Sequence, residues 1–360
     1  MHQIRWAVTL LLVCAPGAAA EEHAEADSLE DEPAKARIYT TREERREAGT
    51  QRHLTSWLSV SDLIEVEAGR QWMAFADPEP DDRDGDLSTT LELGAEVAPL
   101  TWLRAEAIVE VEHEFEGEGA VLELDEGTAS LILGSFEVEG GRVYVPFGEY
   151  FSHLASGPLL EFGETRGDGV DLSWSPDDRI DVSAFLYHGP AESVEEDASD
   201  LDGGFALASS PLEAWMVGVS YLTDLADSRA ELLDAYDHRY QSRVEALSAH
   251  TMVGVDRFEL TAEAVWALES FEEFPSDRDR PSAWNVEVAF FPEGTLDGAL
   301  RVEGSSELED APRLQGGMAV SWRPLRKASI TLEYLYGSYA EGLSDRETSG
   351  RFGALATFVP

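Results

Sequence analysis

The sequence predicts an all-β fold, a transmembrane antiparallel β-barrel of sixteen strands whose third long loop folds into the interior. Apolar and polar residues alternate with a period of two through most of the chain from Trp57 onward. Connections between the alternating segments are long and short in turn, and the tryptophans of this region lie near segment ends. Together, these features are typical of a barrel that crosses a membrane.

The first twenty residues have the pattern of a secretory signal peptide. Arg5 precedes an apolar run over residues 6–13, and three alanines end at Ala20, where we expect cleavage. The run is too short to cross a bilayer as a helix. Cys14, the one cysteine, lies beside it, and acylation there is disfavoured because Val13 is bulky. The mature chain is therefore expected to hold neither a disulfide nor a thiolate metal site.

Charge excludes one class of partner. The chain has 72 acidic against 26 basic residues, a formal net charge of -46, which excludes nucleic acid as a natural partner. No segment after the signal peptide has the roughly 18 consecutive apolar residues of a membrane helix, so insertion would require a closed barrel. Residues 21–52 are polar and highly charged, and we expect them to be a mobile segment before a barrel over residues 53–360.

The alternating segments define the strands. One example places Leu260, Ala262 and Ala264 on one face, with Glu259 and Glu263 on the other. The same pattern predicts sixteen strands, at residues 57–72, 88–97, 101–114, 120–131, 136–147, 169–175, 179–188, 203–210, 214–223, 244–253, 258–269, 282–291, 296–306, 313–322, 328–338 and 348–359. An even number is what single-chain bacterial barrels require.

Two architectures produce one apolar and one acidic face. A soluble β-sandwich buries the apolar face, whereas a membrane barrel turns it toward lipid. Short turns such as Pro99–Leu100 alternate with long acidic connections such as Asp77–Asp86, as in membrane barrels. In this topology five tryptophans lie at the short-turn end and three toward the other end, where they would form two interfacial girdles. These residues are Trp57, Trp102, Trp174, Trp215 and Trp322, then Trp72, Trp266 and Trp284.

The acidic face would line a water-filled lumen. We expect six residues of this face to set charge selectivity, namely Glu106, Glu110, Glu263, Glu287, Arg104 and Arg301. Carboxylates outnumber the arginines, which predicts a preference for cations by repulsion of anions. The alternative is that these side chains only solvate a wide channel.

The third long connection carries a family resemblance. It follows the segment YVPFG (residues 144–148) and includes SGPLLEFGETR (residues 156–166). These stretches resemble the signature region of the LbtU-type siderophore porins of Gram-negative outer membranes, and SDLIEVEAG (residues 61–69) and SYLTDLADS (residues 220–228) are similar to two further stretches of that family.

The resemblance implies an outer-membrane porin that takes up a ferric siderophore passively and needs no cofactor. The lipid bilayer and the outer-membrane assembly machinery would be its partners, residues 21–52 would lie in the periplasm, and the oligomeric state stays open. A general or other substrate-specific cation-leaning porin is the alternative, and a secreted soluble β-sandwich that binds a ligand is the second.

The same connection supplies candidate constriction residues by position. They are Arg142, Tyr144, Tyr150, Phe151, Glu161, Phe162, Glu164 and Arg166. Since many ferric siderophores are anionic, either the substrate of this protein is neutral or cationic, or the arginines form a local basic track past the acidic face. Arg142 and Arg166 are the candidates for such a track, with the aromatic residues as further contacts.

Signals for catalysis or metal binding are weak. The histidines are dispersed, and Ser152 beside His153 occurs without the strand–turn–helix pattern of a nucleophile elbow. The acidic run at residues 81–86 resembles a calcium loop, but Pro80 occupies the first ligand position counted back from Gly85. We therefore predict that the protein is not an enzyme and has no metal site.

Overall fold

The structure, a computed structural model, describes residues 52–75, 82–115, 119–177, 179–194, 201–212, 214–228, 232–233, 236, 238–276, 278–292, 294–308, 311–325, 327–340 and 346–358. The side chains of residues 82–84 and 161 are also outside the description. The predicted signal peptide, and the predicted charged segment up to residue 51, lie outside the described residues.

Sixteen antiparallel strands close into one barrel, which confirms the predicted fold class. Each strand pairs with the next along the chain, and the last pairs with the first, for example through Phe352 and Arg70. In chain order the strands are β1 (Leu58–Phe75), β2 (Asp82–Leu100), β3 (Leu103–Glu114), β4 (Gly119–Leu133), β5 (Phe136–Tyr144), β6 (Arg166–Asp177), β7 (Ile180–His188), β8 (Leu201–Leu212), β9 (Trp215–Leu222), β10 (Ala246–Val255), β11 (Phe258–Ala267), β12 (Ser282–Phe290), β13 (Leu296–Ser306), β14 (Leu314–Leu325), β15 (Ala328–Ser338) and β16 (Arg346–Phe358).

Smaller elements complete the fold. A short strand at Arg52–Thr55 pairs with the start of β1, and Glu192–Ser193 pairs in parallel with Arg239–Tyr240. Among the described residues, an α-helix, α1 (Pro158–Phe162), and a 3₁₀ turn at Leu225–Asp227 lie in long connections. Among the residues that the structure describes, no helix has the length and apolar character needed to cross a membrane.

The apolar side chains of the strands point outward. On β12, Trp284, Val286 and Val288 are 37–41% exposed, whereas Asn285 and Glu287 between them are 1% exposed. A sandwich would show the opposite polarity, because its apolar face forms the core. The outward apolar face and the closed sheet therefore favour the barrel over the soluble alternative.

The two ends of the barrel differ as predicted. At one end, the turn end, connections are short, as between Leu100 and Leu103. At the other, the loop end, they are long, and the longest in the first half of the barrel joins Tyr144 to Arg166. The five tryptophans assigned to the short turns lie at the turn end and are 40–48% exposed.

Two boundaries differ from the predicted ones. β5 ends at Tyr144 instead of continuing to Phe147, because Val145 and Phe147 turn into the interior and are buried there. β1 and β2 are longer than predicted, so the acidic stretch from Asp82 to Asp86 pairs with β1 instead of forming a loop. The Asp86 carboxylate lies 3.3 Å from the Arg351 guanidinium, an ion pair that helps to hold this acidic stretch against the wall.

Candidate functional site

The connection between β5 and β6, residues 145–165, enters the barrel and is called the lumen loop below. It runs along the inner faces of β9 to β15, and α1 packs on β11, β12 and β13. Leu159 and Phe162 of α1 are fully buried in an apolar cluster with Phe147 and with residues of later connections such as Leu225 and Phe271. The lumen is therefore narrowed by a folded segment, as the prediction of an inward third loop required.

Three wall carboxylates hold the lumen loop, and we call Glu263, Glu287 and Glu333 the carboxylate clamp. Glu263 accepts hydrogen bonds from the backbone N–H groups of Glu149 and Tyr150, at 2.8 and 2.6 Å. The other two members each accept one backbone N–H and one serine hydroxyl. Their donors are His153 and Ser152 for Glu287, and Ala155 and Ser156 for Glu333, all at 2.8 Å. Charge-assisted bonds of this kind are stronger than neutral ones.

Arg301 supplies the positive charge beneath the loop. Its guanidinium donates to Ser152 Oγ at 2.7 Å, to the Ser156 carbonyl, and to Glu303 Oε1 at 2.9 Å. The side chain has no solvent exposure. Gly157 has a positive φ of 153°, and a Cβ there would overlap the Arg301 guanidinium and the Glu303 carboxylate. A glycine is therefore required where the loop approaches this ion pair.

These contacts correct three of the predicted selectivity residues. Glu263, Glu287 and Arg301 face inward as expected, but the lumen loop covers them, so they position the loop instead of lining open water. Sequence reasoning also missed Ser152, Ser156 and Gly157 as structural contacts. The signal for them was a short run of small residues between two apolar stretches.

The predicted arginine track is wrong. Val143 is buried in the interior cluster, so its neighbour Arg142 projects to the outer surface, where it lies 3.5 Å from Asp168. Arg166 is held by Asp125 at 2.8 Å and Glu123 at 3.1 Å, and its guanidinium lies over the Tyr144 ring. Neither arginine offers an uncompensated charge to a passing anion.

The wall cluster around Arg166 has a structural reason. Pairing between β4 and β5 stops at Gly127 and Arg142, although β4 continues to Gly119 at the loop end. The Tyr144 hydroxyl donates to Asp125 at 2.8 Å across this gap. Tyr144 and Arg166 thus close the wall between the two strands.

Of the other predicted constriction residues in the lumen loop, some are buried in the apolar cluster and others stay partly exposed. Phe162 is fully buried, so its predicted role as a substrate contact is wrong, and Tyr150 packs partly against the same cluster. Phe151 and Glu164 stay partly exposed. The side chain of Glu161 lies outside the described residues. Ser152 bonds Glu287 and Arg301 instead of His153, whose Nε2 lies 3.2 Å from Glu259.

The wall that the lumen loop leaves uncovered is acidic. On β3, Glu106 is partly exposed, Glu110 is buried, and Arg104 lies 3.9 Å from Glu96. Nearer the turn end, Glu137, Glu139, Asp171 and Asp181 face inward on β5, β6 and β7, and we call them the inner carboxylate group. Within the described part of the chain, none of these four has a basic side chain within ion-pairing distance. Glu139 and Asp171 are direct cross-strand partners.

A second buried acidic set, Asp202, Asp224 and Asp227, lies at the loop end and is called the aspartate cluster. Burial raises the pKa of Asp224 to about 8, with repulsion from its two neighbours opposing the N–H donors of Ala226 and Val244. Burial likewise raises the pKa of Asp227 to about 6. Arg243 pairs with Asp202 at 2.5 Å. The described residues contain no group of three or more His, Cys, Asp or Glu that could hold a metal ion.

The aspartate cluster predicts a pH-dependent loop. The pKa of Asp224 is raised above its ordinary 3.8, so its protonated form stabilises the folded loop. This contribution to stability is fully present below pH 3.8 and is lost as pH rises through about 8. We expect the hydrogen-exchange protection factors of residues 223–228, which correct for the intrinsic rise of exchange with pH, to fall severalfold between pH 6 and pH 9. Asp224→Asn keeps both backbone acceptor bonds and should abolish the dependence, whereas the exposed-turn variant Asp177→Asn should retain it. An unchanged pH profile in Asp224→Asn would contradict the assignment.

Comparison with known proteins defines the fold. No family model matches the chain. A curated UPF0422 protein of Coxiella burnetii is 26% identical over 163 residues, which are 42% of this chain and 35% of that protein. The chain thus matches about a third of the length of this curated relative.

Three solved channels share the architecture. The OmpF of Salmonella typhi, in complex with daunomycin, has a TM-score of 0.60 at 12% identity, over 86% of this chain and 100% of that chain. The outer membrane channel DcaP of Acinetobacter baumannii has a TM-score of 0.60 at 12% identity, over 84% of this chain and 98% of that chain. An anion-selective porin from Comamonas acidovorans has a TM-score of 0.64 at 11% identity, over 84% of this chain and 99% of that chain. At such identities the likeness shows the porin-like fold alone, so selectivity must be argued from this chain's residues.

Proposed function

We propose that this protein is a cation-selective channel of a Gram-negative outer membrane through which small solutes diffuse passively. The inner carboxylate group supports this most directly, since four lumen carboxylates that have no basic partner among the described residues repel anions and concentrate cations. The inward-facing Arg301 and Arg351 add little opposing field, because each contacts a carboxylate. The loop end would face outward, as in barrels with short periplasmic turns.

Charge removal tests this proposal. The double variant Glu139→Gln/Asp171→Asn is expected to lower the K⁺/Cl⁻ permeability ratio in planar bilayers by about two- to fivefold, because it halves the inner carboxylate group. Asp62→Asn/Asp168→Asn is the matched control, since both carboxylates lie on the outer surface beside exposed residues such as Leu93. Equal ratios in the two variants would contradict a role for the inner carboxylates.

Uptake of a ferric siderophore, which the family resemblance implies, is proposed in a narrower form. An acidic passage without a basic track favours a neutral or cationic chelate and repels an anionic one. Titration of single-channel current with ferric chelates of positive, zero and negative charge tests this. Saturable block by a neutral or cationic chelate alone is the expected result. Block by an anionic chelate at equal or lower concentration would contradict it.

A further inference from the structure

The lumen loop has two unlike sides. The side against the wall includes Ser152, His153 and Ser156, which are buried and bonded to the carboxylate clamp. The other side exposes Ala155 and leaves Phe151 and Leu160 partly exposed. Three apolar side chains thus remain in contact with water inside the barrel.

The position of the loop determines what this free side faces. Because the loop is bonded to the wall from Ser220 on β9 to Glu333 on β15, its free side is turned toward β16 and β1 to β4. These strands hold the partly exposed carboxylates Glu67, Glu96 and Glu106. Arg351 pairs with Glu67 and Arg104 lies 3.9 Å from Glu96, so the negative charge of this side is the excess of carboxylates over arginines. The inner carboxylate group lies further along, toward the turn end.

The passage is therefore apolar on one side and anionic on the other. An inorganic cation gains only from the carboxylates, and it keeps its hydration shell beside Phe151 and Leu160. An organic ammonium that carries an aromatic or alkyl group gains from both sides, since its charge is attracted by the wall while its apolar part is removed from water against the loop. The ring of Phe151 also offers a face to the ammonium charge.

We propose that the channel preferentially binds amphipathic organic cations, and that Phe151 and Leu160 supply the apolar half of their binding site. The inference rests on the proposed function, because it requires a cation-selective lumen. It goes beyond it in the class of solute: an ammonium group joined to an aromatic or branched alkyl group, in preference to a compact cation of equal charge.

Block of potassium current tests the proposal with two probes of equal charge, benzyltrimethylammonium and tetramethylammonium. We expect the aromatic probe to block the wild-type channel at about three- to tenfold lower concentration. Phe151→Ser/Leu160→Ser should bring the two probes within about twofold of each other. Phe115→Ser, at an exposed site at the loop end of β3, should retain the difference.

Two results would overturn the proposal: equal block by the two probes in the wild type, or a difference that persists in Phe151→Ser/Leu160→Ser. Either can occur with a high K⁺/Cl⁻ ratio, so failure of this inference is distinguishable from failure of the proposed function, which would show as a low ratio. Heat-modifiable gel mobility confirms that each variant is folded. If a variant does not fold, the comparison of the two probes on the wild-type channel still decides the proposal.

Discussion

Arg301→Ala is expected to destabilise the barrel by about 3–5 kcal/mol, the cost of leaving buried charges without a partner. The side chain is fully buried and bonds Ser152, Ser156 and Glu303 at once. Its loss leaves the buried Glu303 carboxylate without its ion-pair partner, next to Glu287, which is the cross-strand neighbour of residue 301. The unfolding free energy in detergent, followed by heat-modifiable mobility or tryptophan fluorescence in urea, measures the effect.

Arg351→Ala provides the matched control. Arg351 also pairs with two carboxylates, Glu67 at 2.6 Å and Asp86 at 3.3 Å, but its side chain is 24% exposed. A partly hydrated pair contributes less, so we expect a loss below about 1 kcal/mol. A loss for Arg301→Ala no greater than for Arg351→Ala would show that the buried arginine does not hold the loop.

Glu287→Ala/Glu333→Ala is expected to release the lumen loop from the wall. Four loop donors, those of Ser152, His153, Ala155 and Ser156, lose their acceptors. Each buried donor without a partner costs about 1–3 kcal/mol, so even two such losses shift the docked loop toward the undocked state by at least about thirtyfold. Single-channel recordings should show higher mean conductance and frequent switching between levels.

A control separates release of the loop from the loss of two negative charges in the lumen. Glu139→Ala/Asp171→Ala removes the same number of lumen carboxylates without removing a contact of the loop. It should change ion selectivity without adding switching between current levels. Indistinguishable conductance and noise in the two double variants would contradict the clamp.

The fold was predictable because apolar and polar residues alternate along each strand of a membrane barrel, with the apolar ones toward lipid and the polar ones toward the lumen. On β12 the outward Trp284, Val286 and Val288 alternate with inward polar residues, and most strands repeat this pattern. The prediction of orientation failed on β5. There the lumen contains an apolar cluster, so Val143 points inward and Arg142 outward, the reverse of the usual polarity. Local alternation gives two faces, but tertiary packing decides which of them is outside.

The site was less predictable for a related reason. Sequence patterning placed Glu263 and Glu287 on the inner face, and this is confirmed. Their function depends on the backbone N–H groups of Glu149, Tyr150 and His153, which every residue except proline carries. A contact made by the backbone leaves no signature in the side-chain pattern, so selectivity and loop positioning could not be separated without the fold.

The zero-current potential of the refolded wild-type channel in a planar bilayer, under a tenfold KCl gradient, tests the central claim most directly. The inner carboxylate group and the paired lumen arginines Arg301 and Arg351 predict a potential whose sign shows K⁺ as the more permeant ion, with a magnitude that falls as total salt is raised and the lumen charges are screened. A potential near zero, or one of the sign set by Cl⁻, would contradict the account.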